Sequence, residues 1–138
     1  MQVKKLVGGA ADLSDSRVVA GVACRKNVAH KRMRAAIPQP RVLLLGGALE
    51  YSRSPGGPGA AASKLSSFEL LMEQEREYLQ AAVERLAALH PDLLLVERSV
   101  ARYAQELLLE RNITLVLNVR GELLHRIARC LGAEVRGG

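Results

Sequence analysis

The stretch from Asp92 to Gly132 constrains this chain more than any other, because it sets two buried-strand patterns and two amphipathic-helix patterns end to end. Leu93 to Val96 is a continuous apolar run, the pattern of a strand covered on both faces. Ser99 offers a hydroxyl to cap a helix. Val100, Tyr103, Ala104, Leu107 and Leu108 then recur at helical spacing and would face the sheet. Asn112 is a left-handed stop signal, Ile113 to Leu117 reads as a second buried strand, and Leu123, Leu124, Ile127 and Ala128 line a second helix ended by Gly132. Strands joined by a helix in this way pair in parallel through a right-handed crossover, which makes the chain an α/β protein.

The rest of the chain supplies the partners such a sheet needs. Its 138 residues fit a single domain able to bury a core without cross-links. Aromatics are only 3%, so that core must be built from Leu, Val, Ile and Ala. Arg17 to Cys24 reads as a strand, with Gly21 permitting a bulge, and Val3 to Val7 as an edge strand before turn-like residues Gly8 to Ser16. Arg41 to Leu45 is another buried strand, placed directly after Pro38 and Pro40. Ser52 to Ser66, rich in Gly, Pro, Ala and Ser, is expected to be a mobile surface insertion within the domain. The longest helix follows over Phe68 to Leu89, with Ser66 and Glu69 as a capping box and Pro91 as its stop. Its apolar stripe comprises Phe68, Leu71, Met72, Tyr78, Leu79, Ala82, Val83, Leu86 and Leu89. Ala133 to Val135 could add a last short strand.

No apolar run approaches the ~20 residues that span a membrane, and no signal-peptide pattern follows the N-terminal lysines. Cys24 and Cys130 read as reduced, buried thiols, with a single disulfide as the alternative. The net charge of +6 leaves room for an anionic partner, and Arg25, Lys26, Lys31, Arg32 and Arg34 fall close together around His30. These five are the candidate contacts to a lipid headgroup or another anion; a solvated surface segment with a few ion pairs is the alternative. Nucleic acid is disfavoured by the lack of stacking aromatics.

The chemistry-bearing motifs are sparse. Gly46-Gly47 follows a strand, as phosphate-binding glycines do, but lacks the GxGxxG spacing and a Walker lysine, and reads as a tight turn at a strand end. His30, His90 and His125 are not at metal spacing with another ligand. Glu97 ends a buried strand, where α/β sheets often place site residues, yet it could instead pair with Arg98 or Arg102 or cap the next helix. No nucleophile, zinc-hydrolase or kinase motif is present, so catalytic, cofactor-binding and metal residues are expected to be none.

Five blocks in one order carry a resemblance: KNVAHKRM, RVLLLGGALEY, MEQEREYLQ, HPDLLLVERSVARYAQELLLERNITLVLNV and RIARCLGA. Together, over about residues 16–135, they resemble the apical, substrate-binding domain of group II chaperonins. More closely, they are similar to the chaperonin-like region of the PIKfyve family of phosphatidylinositol-3-phosphate 5-kinases. Asn27 to Met33, the string Ser99 to Glu106, and Cys130 favour the kinases over the cytosolic chaperonins.

The resemblance implies an apical-domain-like layered fold, a mostly parallel sheet flanked by helices with an N-terminal β segment, covering the whole chain as one domain. It implies a non-catalytic interaction and regulatory module of a lipid kinase, whose ATP would bind elsewhere in the parent protein. Partners would be a helical-repeat scaffold and a phosphoinositide phosphatase, in the cytoplasm at the periphery of endosomal or vacuolar membranes. The alternative is a client-binding apical domain of a cytosolic chaperonin. Against a lid role, Pro55, Pro58 and the adjoining glycines carry no helix signal where chaperonins have their helical protrusion.

Overall fold

Three short strands that are apolar on both faces decide the architecture. In the computed structural model, which describes residues 5, 14, 16–52 and 65–137 (65–67 in backbone only), the order is β1 (Val42–Leu45), α1 (Leu65–Ala87), β2 (Leu93–Val96), α2 (Arg102–Glu110), β3 (Thr114–Val116) and α3 (Gly121–Leu131). The strands form one parallel sheet in the order β1-β2-β3, with Leu44 opposite Leu95 and Leu94 opposite Leu115. The expected α/β class and parallel pairing are therefore what the chain adopts.

Successive side chains point to opposite faces of a strand, so each strand feeds two cores. Leu45, Leu94, Val96 and Leu115 face α1 and α2, where they meet Leu79, Val83, Ala104 and Leu108. Leu44 and Leu95 face the other way, onto Leu124 and Ala128 of α3. Both sheet faces are thus covered, as a continuous apolar strand requires.

Local stops follow the sequence closely. Asn112 has φ 58° and Gly132 φ 64°, the left-handed conformations that end α2 and α3. His90, with φ 51°, turns the chain out of α1 directly before Pro91. At α2, however, Ser99 is not the cap. Ala101 holds that position with no side-chain hydrogen bond. The backbone stays extended through Val100 because Leu49 N–H donates to Ser99 O and Ala101 N–H donates to Leu49 O. Ser99 Oγ donates to Glu50 Oε1 at 2.6 Å instead.

Residues 17–24 form no strand, contrary to the sequence pattern, and the N-terminal β segment is absent there. The two edges of the sheet explain this. Ala29 N–H donates to Leu115 O on the outer edge of β3, while Leu115 N–H donates to the Met33 sulfur. On β1, Arg136 exchanges hydrogen bonds with Leu44 and Gly46, which is all that remains of the expected Ala133–Val135 strand. Among the described residues these contacts take the edges at Leu115 and at Leu44 to Gly46, and Val18 is 88% exposed. Cys24 and Cys130 are free and exposed, not buried; on α3 the inward positions go to Leu124 and Ala128, and Cys130 falls on another side of the helix. The expected Val3–Val7 strand, Gly8–Ser16 turn, most of the Ser52–Ser66 insertion and the Ser66 side of the capping box lie outside the described residues.

Leu94, fully buried in the middle strand, tests this packing. Leu94→Ala is expected to lower unfolding free energy by about 2–5 kcal/mol, read as a lower urea midpoint; a midpoint equal to that of the parent chain would contradict the two-sided core.

Candidate functional site

The apolar stripe of α1 does not stay in the core along its length. Leu79, Ala82 and Val83, in its second half, are buried, whereas Phe68 and Met72, in its first half, are exposed, Phe68 by 57%; Leu70, off the stripe, is exposed as well. An apolar face that continues past the body it packs on is the surface feature that asks for a partner. Beside it, α2 contributes Tyr103, and Arg76 lies 5.8 Å from the centre of that ring, a cation–π contact that ties the helices together. Met72, Glu75 and Arg76 from α1 and Arg102, Tyr103 and Glu106 from α2 line a shallow groove of about 230 Å³. Arg102 pairs with Glu106 at 3.6 Å on its rim. Near the middle of α1, Tyr78 meets Tyr51 with ring centres 5.4 Å apart. Sequence periodicity identified this stripe but could not say where the core beneath it ends.

The five basic candidates do not stay together as one set. Arg34 is engaged at the surface: its guanidinium lies 3.7 Å from Asp92 and donates to Asn112 O. Arg25, Lys26, Lys31 and Arg32 are exposed, with no ion pair among the described residues. His30 plays a structural part, its Nδ1 accepting the Arg32 N–H at 3.0 Å. His90 and His125 are exposed. Among the described residues no cluster of His, Cys, Asp or Glu is arranged to hold a metal, and no helix is long and apolar enough to cross a membrane.

Glu97 has a partner that spacing did not suggest. Its Oε2 accepts the Gly47 N–H at 2.8 Å, while Oε1 lies 3.0 Å from where a Cβ on Gly121 would stand. One half-buried carboxylate therefore joins the turn after β1 to the first residue of α3. Gly47, at φ 81°, makes the tight turn, and its amide is used by the protein itself. Glu97 thus occupies the carboxyl end of β2, the region where open α/β sheets usually hold ligands, and one of its oxygens is engaged by the Gly47 amide.

With this geometry in hand, the kinship is decisive. The sequence profile of the TCP-1/cpn60 chaperonin family matches residues 1–137. The chain belongs to the TCP-1/cpn60 chaperonin family. Within that kinship it is 52% identical over 88% of its length to the 1-phosphatidylinositol-3-phosphate 5-kinase FAB1A of Arabidopsis thaliana, of which it covers 6%. It is 41% identical over 94% of its length to the human 1-phosphatidylinositol 3-phosphate 5-kinase, again covering 6% of that protein. Human T-complex protein 1 subunit gamma is 35% identical over 97% of the chain, which spans 24% of the subunit. In three dimensions, an open-state monomer of a group II chaperonin from Methanococcoides burtonii superposes with a TM-score of 0.66 at 17% identity, over 93% of this chain and 26% of that one. The expected resemblance to both chaperonins and lipid kinases is thus what the comparisons return. The chain spans only a small part of the length of each relative.

A pair of substitutions tests the Glu97 bridge. Glu97→Ala leaves the Gly47 amide unpaired and should cost about 1–3 kcal/mol in urea denaturation. Gly121→Ala should destabilise the parent chain yet be tolerated in the Glu97→Ala background, where the crowding oxygen is gone. Additive effects of the two changes would show that the carboxylate and Gly121 do not meet.

Proposed function

We propose that this chain is a non-catalytic protein-docking and regulatory module of a 1-phosphatidylinositol-3-phosphate 5-kinase. The observation that carries the reading is the exposed first half of α1, where Phe68, Leu70 and Met72 are exposed and Met72 lines the α1–α2 groove. A rigid two-sided core beneath presents that face at low conformational cost, as docking surfaces require. Higher identity to the kinases than to the T-complex subunit supports the choice of parent. In this reading lipid phosphorylation and ATP binding belong to other parts of the parent protein. The module captures the kinase-complex scaffold and its phosphoinositide phosphatase at the periphery of endosomal or vacuolar membranes.

Affinity capture with this chain as bait tests the proposal. It should retain the scaffold subunit at micromolar concentration, and Phe68→Ser with Met72→Glu should weaken capture by about tenfold or more. Exposed positions of this kind leave urea stability within about 0.5 kcal/mol. Absence of capture, or equal capture by the variant, would refute the docking face. Suppression of aggregation of an unfolded client without scaffold capture would favour the client-binding chaperonin reading instead.

A further inference from the structure

The positive charge of this chain is localised. Residues 16–49 hold seven Lys and Arg and no carboxylate, more than the formal excess of +6 for the whole chain. Within that segment one turn is held firmly. Ala29 is hydrogen-bonded to the edge of β3, Met33 is buried, Met33 N–H donates to His30 O, and His30 Nδ1 accepts from Arg32. Lys31 and Arg32, at its tip, are exposed and unpaired among the described residues.

A matching surface of opposite sign stands on α1. Glu69, Glu73 and Glu77 are spaced four apart, so they form a ridge with about 6 Å between neighbours along the axis. All three are exposed, and none has an ion pair among the described residues. Like charges at this spacing destabilise a helix. Phe68 and Leu70, both more than half exposed, add apolar area on the same half of the helix.

The turn sits near the end of the sheet where the strands begin, and the ridge lies on the half of α1 away from that end. Arg34, next to the turn, contacts Asp92 and Asn112, which precede β2 and β3, and Asp92 also accepts from the Arg41 N–H that precedes β1. That is the end where α1 finishes, at Ala87. Glu77 and Glu69 stand about 15 and 27 Å back along the helix toward the other end. Within one copy no ion pair joins turn and ridge among the described residues; two copies can bring them together.

We propose that this chain binds a second copy of itself head to tail, the basic turn at Lys31 and Arg32 of one copy docking on the Glu69–Glu73–Glu77 ridge of the next. Such a contact is heterologous, so every assembly retains one free turn and one free ridge at its ends and association continues with concentration. Exposed ion pairs are individually weak, so the assembly is weak, short-lived and screened by salt. The proposal goes beyond the docking function, because it requires no kinase partner. The ridge borders the exposed face of α1, so a second copy competes there with a docked protein.

Sedimentation velocity on the 138-residue chain tests it. The weight-average sedimentation coefficient should rise with concentration in low salt and fall back to the monomer value in ~0.5 M salt. A Lys31→Glu/Arg32→Glu variant and a Glu69→Lys/Glu73→Lys variant should each stay monomeric alone and associate when mixed, because mixing restores opposite charges at both contacts. A parent chain that is monomeric throughout, a single variant that still associates, or a mixture that does not recover would each overturn the proposal. Vesicles of anionic phospholipid serve as the second arm. If a monomeric parent chain binds them and the Lys31→Glu/Arg32→Glu variant does not, the turn faces a membrane and the self-contact is wrong.

Discussion

Everything in this molecule hangs on covering both faces of a three-stranded parallel sheet. Leu44 and Leu45, adjacent in sequence, go to opposite cores, and Leu94 and Leu95 repeat the division one strand over. With only four, four and three residues, the strands cannot hold together by their ladders alone. Burial of Leu79, Val83 and Leu108 on one side and Leu124 and Ala128 on the other holds the sheet in place. Parallel pairing then fixes where the connecting helices begin and end, and so which residues gather at each end of the sheet.

That arrangement accounts for the character of the surface. The strand ends that would form a ligand crevice are bridged by Glu97, from Gly47 to Gly121. What the fold leaves available is the first half of α1, which runs beyond the second-half residues that bind it to the core. Kinship to chaperonins and to lipid kinases shows that related sequences occur in both families.

Much of this was legible in the chain itself, for stated physical reasons. The apolar runs at Val42–Leu45 and Leu93–Val96, the helical spacing of α2 and α3, and the stops at Asn112 and Gly132 depend on local chemistry, and all are where the pattern put them. The failures share a cause. Whether VVAGVAC becomes a strand depends on a free sheet edge, and Ala29, Met33 and Arg136 take the edges. Whether Ser99 caps a helix depends on Leu49, fifty positions away, which keeps the backbone extended through Ala101. Arg34 looked like its basic neighbours until Asp92 was placed beside it. Glu97 was marked by its position at a strand end, but its partners, Gly47 and Gly121, come from two other connections. Long-range contacts made each of these decisions, and no local pattern records them.

The proposed docking face on α1 stands on a core that does not rearrange. Amide hydrogen exchange of the chain, free and bound to the kinase-complex scaffold, measures both properties at once. Slowed exchange confined to the first half of α1 and the start of α2, with β1, β2 and β3 equally protected in both states, is the predicted result. Unchanged exchange across α1, or protection gained only at other elements, would contradict it.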